Sequence, residues 1–353
     1  MFETARFLDE RIGWNRIGFL VSASIIAVAA VVLFRILRGI DVQEVVRAFT
    51  ATSPRRVALA ALFVTAGYFT LTFYDLFALR SIGKTKVPYR AAALAGFTSY
   101  SVGHNVGASV FTGGAVRYHI YSRWSLSAVD VAKVCFVAGL TFWLGNITVL
   151  GLGVAIEPEA AGAITQFPAG LNRALALVAL TGLLGYVGWV WVTPREVGRR
   201  NWSVKLPGGP LTLLQIAIGI VDLSCCSLAM YMLMPAQPPI DVIAVAVVFV
   251  TATLLGFASH SPGGLGVFDA AMLLALPQFA REDLLASLLL FRLLYYITPF
   301  LISLMVLGTR EIWLAVTRQE PKREAGLRDD LSAGLEAHSA FEPKKKPQNR
   351  KAG

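Results

Sequence analysis

Ionisable side chains inside apolar stretches are the features of this sequence most able to do chemistry: Asp75, His104, Arg117, Asp222, Asp269 and Arg292. An ionisable group at the bilayer centre costs roughly 2.5–3.5 kcal/mol on insertion scales, so it faces the protein interior and finds a partner. Arg117, Asp269 and Arg292 are therefore candidate substrate-binding residues. Asp75, His104 and Asp222 are candidates for coupling transport to an energy source or for lining the transport path. Structural roles remain open: a packing role for His104 and an interfacial position beside Arg80 for Asp75.

A glycine pair precedes one of these residues, because Arg117 follows Gly113-Gly114 by about one helical turn. Glycine allows close backbone approach, unpaired amides at a helix start attract anions, and arginine binds phosphate bidentately. We therefore predict a phosphate-headgroup site at Gly113, Gly114, Arg117 and Tyr118. The alternative is that Arg117 begins a cytoplasmic loop with Arg123 and only anchors it.

A second glycine pair precedes Asp269, and Arg292 lies within the last apolar stretch. Their opposite charges predict a buried ion pair, although Asp269 could instead contact Arg117. A structural ion pair and a substrate contact are equally open here. The second part of the predicted substrate-binding set is Pro262, Gly263, Gly264, Asp269 and Arg292.

Other kinds of chemistry have no support in the sequence, which contains no nucleophile elbow, P-loop, HExxH or paired-carboxylate motif. The three cysteines, Cys135, Cys225 and Cys226, all fall in apolar stretches and lack metal-ligand spacing. We interpret them as small core residues. We therefore expect no metal, no cofactor and no enzymatic activity.

The composition indicates what positions these residues. Of 353 residues, 56% are hydrophobic and only 15% are charged, and the mean hydropathy is +0.61. Soluble domains carry about 25% charged residues, so a soluble enzyme and a disordered protein are both excluded. At about 20 residues per span we predict an all-α integral membrane protein with about eight transmembrane helices. The uninterrupted stretches are 17–37, 57–79, 131–154, 171–192, 211–234, 240–258 and 284–307.

Two further apolar stretches, 91–110 and 259–276, are interrupted by glycine and polar residues. Backbone groups in lipid must be paired, so broken helices survive only inside protein or beside a wet cavity. We predict two glycine-broken segments that could be re-entrant, against the simpler interpretation of kinked spans or surface loops.

These broken segments suggest a weak internal repeat. The glycine pair Gly113-Gly114 can be aligned with Gly263-Gly264 at an offset of 150 residues. In this alignment both halves of the chain have the same order of elements, which is a span, a broken segment and a second span. Transporter folds carry such paired breaks and bind substrate where the breaks meet. Chance similarity between glycine-rich apolar segments is the alternative.

The charge distribution predicts orientation, because Lys and Arg favour the cytoplasmic side. The net charge is +10, and the basic residues of the chain lie mostly in loops and in the tail. We predict an N-terminal segment (1–16), a polytopic membrane domain (17–307) and a basic, disordered, cytoplasmic tail (308–353) that contacts anionic lipid. Nucleic acid is not expected as a partner. The side of the N-terminus depends on whether 91–110 crosses or turns back.

Two motifs, FTGGAVRYHIY at 111–121 and SPGGLGVFD at 261–269, resemble the lysylphosphatidylglycerol synthase transmembrane (flippase-like) family. The resemblance covers residues 17–307. The family's second motif usually ends in Glu, so Asp269 is a conservative departure. In the bifunctional members, the multiple peptide resistance factors, this region is similar to a flippase that carries aminoacylated phospholipid between leaflets, and a separate cytosolic domain attaches the amino acid.

The resemblance implies the transport half without the synthase half. We therefore expect a bacterial inner-membrane, multi-pass lipid flippase or transporter whose partner is a phospholipid headgroup. One alternative is a membrane subunit or enzyme of lipid-linked amino acid or sugar transfer. Another is a secondary transporter of a small solute. The lipid, the direction, the energy source and the oligomeric state stay open.

Overall fold

The structure is a computed structural model that describes residues 43, 50, 52–107, 109–193, 195–199, 202–259 and 262–313. The predicted span at 17–37, the segment 1–16 and residues 314–353 of the predicted tail lie outside these residues. By its contacts the chain divides into Met1–Leu304 and Met305–Gly353. In the second unit, residues 305–313 are helical.

The described part of the chain is almost entirely helical, which confirms the all-α expectation apart from one short hairpin. The helices are α1 (Pro54–Ser81), α2 (Tyr89–Val106), α3 (Ser109–Tyr121), α4 (Ala128–Ile156), α5 (Pro158–Thr165), α6 (Ala169–Val192), α7 (Gly209–Leu233), α8 (Val242–Ala258), α9 (Val267–Ala275) and α10 (Arg281–Phe291). Between α6 and α7, β1 (Glu196–Arg199) pairs antiparallel with β2 (Trp202–Lys205).

Five helices in the described residues are long and apolar enough to cross a membrane: α1, α4, α6, α7 and the last helix, which runs Arg281–Trp313. They coincide with the apolar stretches predicted at 57–79, 131–154, 171–192, 211–234 and 284–307. Helix α8 matches the stretch at 240–258 but has only 17 residues. The connection between the predicted spans at 131–154 and 171–192 contains α5, a short helix that was not predicted.

Local capping sets where α4 begins. The Ser127 hydroxyl accepts a hydrogen bond from the Asp130 amide (3.2 Å), and the Asp130 carboxylate accepts one from the Ser127 amide (3.0 Å). This reciprocal capping box satisfies donors that a helix start leaves unpaired. Lys84 also donates to Asp130 at 2.9 Å, which fixes the turn after α1 to the start of α4.

Each predicted broken segment is a helix, a break and a second helix. The first break falls between α2 and α3 at Gly107, which has φ +83°, and the two helices pack against each other. The second break falls between α8 and α9, where a 3-10 turn (Pro262–Gly264) brings Gly263 and Gly264 to φ +61°. Only glycine reaches these backbone conformations without steric cost.

The Gly-Gly pairs do not occupy equivalent positions, and this corrects the predicted alignment. Gly263 and Gly264 form the second break, whereas Gly113 and Gly114 lie inside α3, beyond its first turn. The amides there belong to the helix, so the interpretation of Gly113-Gly114 as an anion-binding helix start is wrong. The shared order of span, break and span remains.

Helix α7 packs along α1 on one side and crosses α4 on the other. At the crossing, a Cβ on Gly145 would lie 2.7 Å from the Gly219 Cα, so the two backbones touch. One turn away, the Gln215 side-chain amide donates to the Thr141 hydroxyl at 2.8 Å. Small residues with an interhelical hydrogen bond are the usual means of close packing in membranes.

The last helix contains a π-helical turn at Arg292–Ile297 that the sequence analysis did not predict. Pro299 has no N–H to offer to the Tyr295 carbonyl, and the Tyr68 hydroxyl donates to that carbonyl at 2.9 Å. The Asn105 side-chain amide donates to the Tyr296 carbonyl at 3.1 Å. The irregular turn is therefore fixed to both α1 and α2.

Candidate functional site

The two breaks meet at one cavity of about 270 Å³. Gly107 and Ser109 contribute the first break to its wall, and Gly263 and Gly264 contribute the second. A Cβ on Gly263 would lie 3.9 Å from the His104 carbonyl, so the second break lies directly against α2. The remaining wall comes from α1, α2, α3, α4, α7, α8, α9 and the π-helical turn.

The cavity has a mostly apolar wall that contains two buried ionisable side chains, and its rim is apolar. Arg117 and Asp222 line it, and each is only 5% exposed. The rim includes Phe111, Trp143 and Phe257, which are 81%, 47% and 42% exposed. Large exposed apolar side chains belong in hydrocarbon in a protein of this composition. The arrangement therefore suits a molecule with a polar end and an apolar end.

Arg117 is held by a carboxylate from α1. Its Nε and Nη2 donate to Asp75 at 2.7–3.1 Å, and the Tyr121 hydroxyl donates to the same carboxylate at 2.7 Å. The interfacial position considered for Asp75 is wrong, because the residue is 0% exposed. The anchoring-loop position considered for Arg117 is also wrong. The Arg117 nitrogen that does not bind Asp75 is Nη1.

Because Gly113 has no side chain, it leaves room for the ion pair between Arg117 and Asp75. A Cβ there would lie 3.1 Å from the Ser99 carbonyl and 3.4 Å from Arg117 Nη1. A Cβ on Gly114 would meet only the Cys135 sulfur, at 3.8 Å. The first glycine therefore permits the close approach of α3 to α2, and the second is not crowded.

Asp222 lies on α7, facing α1. The Tyr74 hydroxyl donates to it at 3.0 Å, and the Cys226 sulfur lies 4.0 Å from its Oδ1. Since Tyr74 and Asp75 are neighbours, α1 contacts both the Arg117 pair and Asp222. Tyr74 was not among the predicted site residues, although a tyrosine next to an intramembrane acid is a usable signal.

The predicted ion pair between Asp269 and Arg292 is present. Arg292 donates to Asp269 at 3.1 and 2.5 Å and to the Gly263 carbonyl at 3.1 Å. Asp269 also accepts a hydrogen bond from the Gly266 amide at 3.1 Å. This pair fixes the second break to the last helix, and the alternative contact between Asp269 and Arg117 does not form.

His104 packs among tyrosines at the cavity wall. Its ring stacks on Tyr295 with the centroids 6.1 Å apart and lies 5.7 Å from the ring of Tyr100. Its Nδ1 is buried and has no hydrogen-bond partner among the described residues. The geometry fits a packing role and also leaves one polar atom for a ligand or water.

The cavity thus gathers part of the predicted set: His104, Arg117, Asp222, Gly263 and Gly264. Behind its wall lie four more: Asp75, Gly113, Asp269 and Arg292. Outside the wall are Gly114, Pro262 and Tyr118, the last of which is 40% exposed. Among the described residues, no three His, Cys, Asp or Glu side chains are placed to hold a metal ion.

Comparison with known proteins agrees with this architecture. Residues 17–303 match the family described as the lysylphosphatidylglycerol synthase TM region. The chain belongs to this family. The match and the long apolar helices together show a multi-pass membrane protein.

Relatives of similar length and of greater length both occur. The chain is 28% identical to the uncharacterized protein slr0712 of Synechocystis sp., covering 80% of this chain and 88% of that protein. It is 26% identical to the inner membrane protein YbhN of Escherichia coli, covering 75% and 82%. It is 24% identical to the phosphatidylglycerol lysyltransferase of Staphylococcus haemolyticus, covering 82% of this chain but only 34% of that enzyme.

Proposed function

We propose that this protein moves a phospholipid, or another lipid with a polar headgroup, between the leaflets of the bacterial inner membrane. One observation carries the proposal: a cavity with buried Arg117 and Asp222 opens past exposed Phe111, Trp143 and Phe257. A headgroup could reach these two buried side chains while its acyl chains stay in hydrocarbon. Such a groove lowers the desolvation cost that otherwise blocks headgroup crossing.

The broken helices suit a path at membrane depth. Helix α3 has 13 residues and α9 has 9, so at 1.5 Å per residue they reach about 20 and 14 Å. A hydrocarbon core is about 30 Å thick, so neither crosses it alone. We infer that α2–α3 and α8–α9 are re-entrant hairpins. The predicted span at 17–37 and the five long helices would then make six spans, fewer than the eight expected from the sequence. The basic tail and the loop between α6 and α7 then lie in the cytoplasm.

Arg117 would act on the headgroup through the side of its guanidinium that Asp75 leaves open. A phosphate there would meet Nη1, while Asp75 holds the Nε edge. Arg292 would act indirectly, because it holds the Gly263 carbonyl and so positions the second break.

A different function would place this chain in a lipid-linked transferase. The observation that favours it is the match to lysyltransferases of which this chain covers about a third. Transport of a small solute would need an enclosed site, and the exposed apolar rim argues against one. The proposed inner-membrane location agrees with that of the relative YbhN, which is named an inner membrane protein.

Filling the cavity tests the proposal directly. Gly139 lines the cavity on α4, and no atom lies within 4 Å of where its Cβ would be. Gly139→Phe should therefore place a phenyl ring in the cavity without backbone strain. Gly185 on α6 has equally open surroundings and lies outside the cavity wall, so Gly185→Phe is the matched control.

The assay is leaflet exchange of fluorescent phospholipids in liposomes that contain the purified full-length protein. Wild type and Gly185→Phe should accelerate exchange equally, and Gly139→Phe should reduce it to the rate of protein-free liposomes. Thermal unfolding in detergent confirms that both variants fold. A wild type that moves no tested lipid, or a Gly139→Phe variant as fast as wild type, contradicts the proposal.

A further inference from the structure

Within the described part of the chain, Asp222 differs from Asp75 and Asp269 in having no cationic partner. Asp75 and Asp269 each pair with an arginine at 2.5–2.7 Å. Among the residues that the structure describes, no lysine or arginine forms a salt bridge with Asp222, which is 5% exposed. Its contacts are the Tyr74 hydroxyl and the Cys226 thiol.

The groups that face Asp222 across the cavity supply no spare positive charge. Arg117 is the charged one, and Asp75 balances it. Helix α8 contributes Phe249 and Thr253, which do not titrate. The titratable groups that line the cavity beside Asp222 are Tyr100 and His104 from α2, Arg117 from α3, Cys135 from α4, Cys226 from α7, and Tyr295 and Tyr296 from the π-helical turn. From α1, Tyr74 donates to Asp222 directly.

Burying a carboxylate without a cationic partner is costly, because the ion loses its hydration and only neutral groups, the Tyr74 hydroxyl and the Cys226 thiol, contact it among the described residues. The neutral acid avoids this cost and keeps its hydrogen bond with Tyr74. A cation entering the cavity changes the balance, since it supplies the partner that the carboxylate lacks.

We infer that Asp222 carries a proton in the empty cavity and exchanges it for the ammonium group of a lipid headgroup, so that lipid movement is coupled to proton movement in the opposite direction. This inference rests on the proposed transport function. The Asp222 O–H bond breaks, its electron pair stays on the carboxylate, and the proton passes to water in the cavity. When the headgroup leaves on the other side, the carboxylate takes a proton from water there.

Infrared spectroscopy of the purified protein tests the proton without any transport. Wild type at neutral pH should show the carbonyl stretch of a protonated carboxyl, and Asp222→Asn should remove it. Glu159 is an exposed acid on α5, so Glu159→Gln should leave that band unchanged. An Asp222→Asn spectrum that keeps the full band overturns the inference. Asn matches the neutral acid in shape, so this variant should also keep its thermal stability.

Coupling is tested in proteoliposomes with a trace of labelled phosphatidylethanolamine, whose headgroup carries an ammonium. At one proton per lipid, a pH difference of one unit should drive about a tenfold leaflet asymmetry of the labelled lipid. Phosphatidylglycerol, which has no ammonium, should show no such asymmetry. Asp222→Asn should abolish the asymmetry.

The outcomes separate the two proposals. Lipid movement without any response to the pH difference, or a response retained in Asp222→Asn, overturns the coupling and leaves the transport function standing. A wild type that moves no lipid overturns the transport function, and the coupling with it.

Discussion

Replacing Gly219 by alanine should force α4 and α7 apart where they cross. The added Cβ would lie 2.7 Å from the Gly145 Cα and 3.1 Å from the Thr141 carbonyl oxygen. Both are backbone atoms, so no side chain can move aside to make room. Carbon atoms pack at about 3.5–4.0 Å, so the helices must separate by about 1 Å.

The expected loss of folding stability in Gly219→Ala follows from that displacement. Overpacking of a well-packed core costs about 1–3 kcal/mol. The hydrogen bond from Gln215 to Thr141, 2.8 Å long and one turn from the crossing, would also be stretched. Such interhelical bonds contribute about 0.6 kcal/mol on average in membranes. Alanine regains up to about 1 kcal/mol of helix propensity, so the net loss is about 1–3 kcal/mol.

The measurement is unfolding of the purified protein in detergent, with Gly182→Ala on α6 as the matched control. No atom lies within 4 Å of a Cβ at Gly182, so that variant should be as stable as wild type or slightly more stable. Leaflet exchange should fall in Gly219→Ala as well, because Asp222 lies one turn along the same helix. A Gly219→Ala protein as stable as Gly182→Ala would refute the backbone contact.

Two further predictions concern the first ion pair and its glycine. Asp75→Leu should destabilise the fold by about 3–5 kcal/mol because it leaves the Arg117 charge buried and unpaired, and adding Arg117→Leu should recover much of that loss. Equal unfolding temperatures for the single and double variants would contradict this. Gly113→Ala should lower both stability and leaflet exchange, since its Cβ would lie 3.1 Å from a carbonyl oxygen of α2, whereas Gly114→Ala meets only a sulfur of α4 at 3.8 Å and should be tolerated. The same two assays check this, and the reverse ranking would exclude a spacing role for Gly113.

The long helices were predictable because hydrocarbon thickness fixes their length and composition. The stretch predicted at 131–154 became Ala128–Ile156, and the extension reflects the cap at Ser127. The pair of Asp269 with Arg292 was also predictable, since two opposite charges lay in neighbouring apolar segments. Local composition carried enough information for these features.

The partner of Arg117 could not be predicted in the same way. Asp75 lies 42 residues earlier, and no short-range pattern distinguishes it from Asp222 or Asp269 as the partner. The role of Gly113-Gly114 was wrongly predicted for a related reason. A glycine pair looks alike whether it ends a helix, as at Gly263, or lets a neighbouring backbone approach, as at Gly113. Only tertiary packing separates these two uses.

The π-helical turn had a weaker signal still, because Pro299 predicts a disturbance but not its form. The carbonyls of Tyr295 and Tyr296 in this turn accept hydrogen bonds from Tyr68 and Asn105. These two residues lie more than 190 positions earlier in the chain. Such long-range satisfaction is invisible to any reading of local sequence.

The adjacent residues Tyr74 and Asp75 explain how one helix serves two acid sites. Successive residues on a helix point about 100° apart, so Asp75 faces Arg117 on α3 while Tyr74 faces Asp222 on α7. At the first site Asp75 balances the charge of Arg117, so we propose that the change of charge occurs at Asp222. In the proposed mechanism, a headgroup that displaces Asp75 would also displace the adjacent Tyr74, which would connect binding at Arg117 to the proposed proton on Asp222.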